Sequence, residues 1–143
     1  MARVKLELPE RFPFATDIPV RITDINYGGH LGNDALLSIL HEARVKFLRK
    51  YGFSEIDVDG RSIIMADVVI VYRSESFYGD VARIEIAVTD LQPHGCDFVY
   101  KVTNRDNGKE IARAKTGVVF FDYEKKKIVP APQKFINLFS GSS

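Results

Sequence analysis

The sequence predicts an α+β fold in which an antiparallel sheet holds one long helix. Three observations lead there. Strong helical periodicity occurs in one stretch, beginning at Asn33 and stopping at Gly52. From Ser62 onward the chain reads as strands, several with period-two alternation of apolar and polar residues. Short turns join those strands, and an order of strand, long helix, then four turn-connected strands is that of an α+β antiparallel sheet.

Residues 1–16, with Pro9 and Pro13 among alternating charges, read as an extended lead-in. Ile18, Val20 and Ile22 alternate with Pro19, Arg21 and Thr23, a strand whose proline places it near an edge or a strand start. Asp24 to Gly32 is a turn rich in Gly, Asn and Asp. Asn33 suits an N-cap, and Asp34 falls in the first helical turn, where a negative charge complements the dipole. Leu36, Ile39, Leu40, Ala43 and Phe47 form the apolar face, with Asp34, Ser38, His41, Glu42 and Val45 opposite. Gly52 is the expected C-terminal stop.

Residues 53–61 read as a polar connection. Ser62 to Tyr72 is nearly all apolar and β-branched, which predicts a strand buried on both faces. A turn from Ser74 to Asp80 leads into a half-buried strand at Ala82 to Val88. A further turn at Gln92 to Gly95 precedes the alternation of Phe98, Tyr100 and Val102. Asn107-Gly108 signals a hairpin, because both residues tolerate positive φ. Glu110 to Tyr123 is the long final strand, followed by a turn and a short apolar segment, Phe135 to Phe139. One helix covers one sheet face only, so a second copy is expected on the other, giving a homodimer or tetramer.

With 143 residues, 45% of them hydrophobic, the chain is expected to be one domain with a real core. A formal net charge of +1 argues against nucleic-acid binding by bulk electrostatics, and Lys125–Lys127 reads as a solvated turn. Cys96 is the only cysteine, which excludes an intrachain disulfide and, as a prior, points to the cytoplasm. The N-terminus lacks an apolar signal core, and no run is long enough to span a membrane. His30, His41 and His94 lack metal-ligand spacing, no G-x-S-x-G elbow is present, and no dinucleotide fingerprint follows a strand. Neither a metal nor a cofactor is expected.

The residues with chemical potential gather where the first turn meets the helix: Asp24, Asn26, Tyr27, Gly29, His30 and Asp34. The run Arg21-Ile22-Thr23-Asp24-Ile25-Asn26-Tyr27-Gly28-Gly29-His30-Leu31-Gly32-Asn33 resembles the pattern R-x-x-D-x-D-x-x-G-H-V-N-N of the 4-hydroxybenzoyl-CoA-like acyl-CoA thioesterases. Leu40-His41-Glu42-Ala43-Arg44 resembles their F-E-E-A-R segment. Tyr72 with Tyr78-Gly79-Asp80, and Ala114-Lys115-Thr116, are similar to later strand motifs. The resemblance covers about residues 14–139. It implies a hotdog fold, with the sheet wrapped around one long central helix, and hydrolysis of an acyl-CoA or acyl-carrier-protein thioester. In many members the second Asp of the motif is the catalytic carboxylate, and here that position is Asn26, which cannot ionise. On the related plant pattern D-x-D-x-N-x-H, His30 occupies the catalytic histidine position while Gly28 replaces the Asn.

Thioester hydrolysis needs a polarised carbonyl and an activated water. Backbone N–H groups at a helix start suit the first need. For the second, Asn26, His30 and Glu42 are the catalytic candidates. Asn26 would orient the water. Glu42 would be a base if the wrapped helix desolvated it, or simply an ion-pair partner of Lys46. Tyr27, Gly29, Asp34 and Asp67 are candidates for substrate binding, Asp67 because an acid interrupting an apolar strand needs a partner or a task. The rival expectation is a non-catalytic hotdog module that binds acyl thioesters or serves as a structural dimer. A dehydratase would require an H-F-P-G-type segment, which the sequence lacks.

Overall fold

The computed structural model describes residues 4–141. In order, the elements are β1 (Phe14–Pro19), α1 (Asn33–Lys50), β2 (Ser62–Tyr72), β3 (Val81–Gln92), β4 (Gly95–Asn104), β5 (Glu110–Asp122), β6 (Lys127–Ile128) and α2 (Gln133–Phe139). The strands form one antiparallel sheet in the order β1-β3-β4-β5-β2, with β6 paired to the end of β5. This is the expected α+β hotdog architecture. The apolar face of α1 is buried, with Leu36, Leu40, Ala43 and Phe47 at 1% exposure or less. Phe47 is its pivot, with ring centroids 5.5 Å from Phe14, 5.8 Å from Phe98 and 5.6 Å from Phe139. The first two pairs are edge-to-face, an arrangement that stabilises by roughly 0.5–1.5 kcal/mol beyond burial.

Several local expectations are corrected. The first strand lies earlier than the alternation implied, at Phe14–Pro19, because Phe14 pairs with Ile86 and Asp17 bonds Arg83 at 2.9 Å across the ladder. Ile22 is outside the sheet and exposed, in a 3-10 turn at Ile22–Asp24. The lead-in has a structural role too. Arg113 Nη1 donates to Leu6 O at 3.0 Å, so residues 4–13 cross the sheet face opposite the helix. The connection at 53–61 is less polar than expected, since Phe53 and Val58 are core residues. At the β4–β5 turn only Gly108 takes positive φ; Asn104 organises the loop, its Oδ1 accepting from the Asp106 and Asn107 N–H groups.

Within the single protomer β2 is not buried on both faces. It forms the end of the sheet, and Met65, Val68 and Tyr72 are 43%, 39% and 50% exposed. An apolar β-branched run reads the same whether neighbouring strands cover it or its edge is left open. A bulge between Met65 and Asp67 shifts its register against β5.

Candidate active site

The turn ahead of α1 is organised by two side chains. Asp24 is buried; its carboxylate accepts from the Arg21 N–H at 2.8 Å and from the Arg21 guanidinium at 3.3 and 3.4 Å. Its own carbonyl accepts the Gly32 N–H at 3.0 Å, fixing the entry to the helix. Asn26 closes the inner loop. Its Oδ1 accepts from Gly28 N–H at 2.9 Å and His30 N–H at 3.4 Å, while the Asn26 N–H donates to His30 O at 2.9 Å. Gly29 completes the turn at φ +85°, a conformation an L side chain rarely adopts.

The helix then starts without a side-chain cap. Its N-cap is Gly32, and the first helical donation is from Leu36 N–H to Gly32 O, at 3.1 Å. The N–H groups of Asn33, Asp34 and Ala35 have no hydrogen-bond partner among the described residues, as the geometry of a helix start dictates. A Cβ at Gly32 would lie 2.8 Å from Asp34 Oδ1, so this glycine lets the Asp34 carboxylate fold back over the helix start.

A pocket of about 270 Å³ opens there. One wall is His30 to Asn33 with Leu36; the other is Tyr72 to Ser76 with Ile111. The walls are tied together by Leu31 N–H donating to Ser76 O at 2.7 Å. His30 Nδ1 lies 3.3 Å from Leu31 O, which makes Nδ1 the donor nitrogen, so in the neutral imidazole the lone pair is on Nε2. Nε2 stands 3.9 Å from a Glu75 carboxylate oxygen. Burial raises the Tyr72 phenol pKa, and the charge of nearby Asp34 adds to the shift.

The structure therefore brings His30 into the pocket, with Asp34 close to it. Asn26 and Gly29 shape the turn that carries His30. Tyr27 is fully exposed and does not line the pocket. Glu42 is not the desolvated carboxylate expected of a wrapped helix. The sheet covers only the apolar side of α1, so Glu42 faces solvent and pairs with Lys46 at 3.6 Å. Asp67 sits at the β2 bulge, bonded to Lys115 Nζ at 2.9 Å and to the Gly117 N–H at 3.0 Å. The Lys115 bond holds its carboxyl below the usual range. Cys96 is buried, and desolvation pushes its thiol well up, away from nucleophilic use. Sequence reasoning missed Glu75 and its neighbours, which read as an anonymous turn. No group of His, Cys, Asp and Glu among the described residues is arranged to hold a metal, and no described helix is long and apolar enough to cross a membrane.

Solved structures share this fold. A 1,4-dihydroxy-2-naphthoyl-CoA thioesterase from Synechocystis superposes with a TM-score of 0.81 at 20% identity, over 90% of this chain and 96% of that one. A DHNA-CoA thioesterase from Staphylococcus aureus matches at 0.76 and 18%, over 87% and 84%. A hypothetical protein from Aquifex aeolicus matches at 0.79 and 23%, over 89% and 99%. At these identities the likeness is one of fold. None of the curated proteins compared with the chain matches it by sequence. The family model of the thioesterase-like superfamily matches residues 20–139, and the chain belongs to that superfamily.

Proposed function

We propose that this protein hydrolyses an acyl-CoA or acyl-carrier-protein thioester to a free acid and a thiol, as a cytoplasmic homodimer or tetramer. The observation that carries this reading is the uncapped start of α1 opening into a pocket beside the free Nε2 of His30. The thioester carbonyl oxygen accepts from the first-turn N–H groups. One preorganised donor of this kind is typically worth about 3 kcal/mol of transition-state stabilisation. His30 Nε2 takes a proton from the attacking water. Asn26 acts by holding the His30 backbone, and Leu36, Ile111 and Tyr72 offer apolar surface to the acyl group.

The oligomer reading rests on β2. Its edge is unpaired within the protomer and carries Met65, Val68 and Tyr72 exposed, which a second copy would cover. Light scattering is expected to show a dimer or tetramer, and Val68→Lys to shift it toward monomer. Asp67 points to the opposite sheet face from Val68 and has no part in the proposed chemistry.

The purified protein is expected to release free thiol from at least one member of a broad acyl-CoA and acyl-carrier panel. No release from any of them would overturn the hydrolase reading. One observation favours a second reading, a binding module without turnover: Asn26 cannot ionise, and its carbonyl oxygen is already occupied by the turn. That module would bind an acyl-CoA and release no thiol.

A further inference from the structure

We propose that Glu75 supplies the carboxylate that the motif lacks at Asn26, working with His30 on the attacking water. The inference rests on the hydrolase reading above and names a residue to which neither the motif nor the family match assigns a role. Glu75 comes from the β2–β3 connection, distant in sequence from the motif, yet it lines the same pocket. Its backbone is pinned on both sides. Ser74 Oγ donates to Glu110 O at 2.7 Å, and buried Ser76 donates to Asp80 Oδ2 at 3.0 Å while its carbonyl receives Leu31 N–H. The carboxylate itself makes no hydrogen bond among the described residues, and the side chain is 64% exposed. The neighbouring residues thus fix where the Glu75 backbone sits, while its carboxylate is left free to serve a ligand or a water in the pocket.

Asp24 is buried against Arg21, Glu42 is paired with Lys46 outside the pocket, and Asp34, folded over the helix start, makes no ion pair with His30 among the described residues. Glu75 alone among them faces His30 Nε2. With Nδ1 donating to Leu31 O, Nε2 and the carboxylate are two acceptors 3.9 Å apart. Two acceptors so placed repel unless a proton or a donor lies between them, and a water with two O–H groups serves both. The water oxygen bonds to the thioester carbon as one of its protons passes to Nε2. Glu75 accepts the other O–H and faces the imidazolium formed. The C–S bond then breaks, and the Nε2 proton goes to the departing thiolate, leaving acid and thiol.

The test compares wild type, Glu75→Gln, Glu75→Ala and, as a carboxylate outside the site, Glu124→Gln, all on a thioester the wild type hydrolyses. Glu75→Gln is expected to lower kcat by about 100-fold with KM changed less than about threefold, the signature of a lost transition-state contact. Glu75→Ala is expected to be as impaired and to recover turnover in added formate, which a structural defect would not do. Glu124→Gln is expected to match wild type. If the wild type turns over and either Glu75 variant stays within about threefold of it, this proposal falls and the hydrolase reading stands. A wild type silent on the whole panel overturns both.

Discussion

Midway along α1, Arg44 is buried with its polar groups consumed by the fold, whereas at the start of the same helix three N–H groups have no partner among the described residues. Arg44 Nε meets Glu55 at 2.9 Å and Nη1 meets the Tyr100 hydroxyl at 3.1 Å, while Tyr100 bonds Thr116 at 2.7 Å and Glu55 bonds His41 at 2.6 Å. Burial works against the Arg44 charge, but Tyr100 and Glu55 outweigh it and hold the guanidinium protonated. Among the described residues no buried side-chain N or O lacks a partner. The helix start is the reverse: the turn fixed by Asp24 and Asn26 leads into an uncapped first turn whose Asn33 lines an open pocket. One helix thus carries a station that secures the fold and another whose donors remain available to a ligand. Polar residues of the first kind should report in stability, and those of the second in turnover.

The largest effect should come from breaking the closed station. Arg44→Ala leaves Glu55 and Tyr100 without their shared donor and should cost about 3–5 kcal/mol, read from denaturant unfolding. Next, His30→Asn should lower kcat about 100-fold, equivalent to about 2.7 kcal/mol of barrier, with the unfolding midpoint nearly unchanged. A variant pair that reversed these readouts would collapse the distinction between the two stations. Gly29→Ala falls between them, because it strains the turn that carries His30. It should cost about 1–2 kcal/mol of stability, the usual penalty for an L residue held at positive φ, with lower turnover following from the displaced imidazole.

How much of this could be read beforehand follows from the range of each signal. The buried face Leu36, Ile39, Leu40, Ala43 and Phe47 was legible because helical periodicity is local. So were the alternating strands and the stop at Gly52, whose φ is +81°. Arg44 was half-legible: it occupies an apolar-face position four residues after Leu40, and a charge there requires buried partners. The partners were not legible, since Glu55, Tyr100 and Thr116 come from three other segments. The pocket divides in the same way. His30 and the helix start lie in one continuous motif, although Asn33 was expected to cap the helix and does not, and Glu75 reaches them only because β2 pairs with β5 and returns through Ser74–Ser76. The exposure of β2 within one protomer was not legible, because the exposure of a sheet edge depends on what lies beside it, which no local pattern encodes.

The smallest expected effect tests the closed station without dismantling it. Burial of the Glu55 carboxyl acts to raise its pKa, but the hydrogen bonds and charges of Arg44 and His41 outweigh burial, so the folded value lies below the ordinary 4.5. A carboxyl with a depressed folded pKa contributes stability that is fully present above its unfolded pKa and is lost as pH falls through the folded one. The contribution of Glu55 should therefore be constant near neutral pH and decline below about pH 4.5. With the group partly solvated, it should amount to no more than about 1 kcal/mol. The measurement is the difference in unfolding free energy between wild type and Glu55→Gln across that range, which should narrow as the medium is acidified. A difference that stayed flat into the acid would mean that Arg44 is held by Tyr100 alone. The closed station would then be a hydrogen bond to a phenol rather than an ion pair.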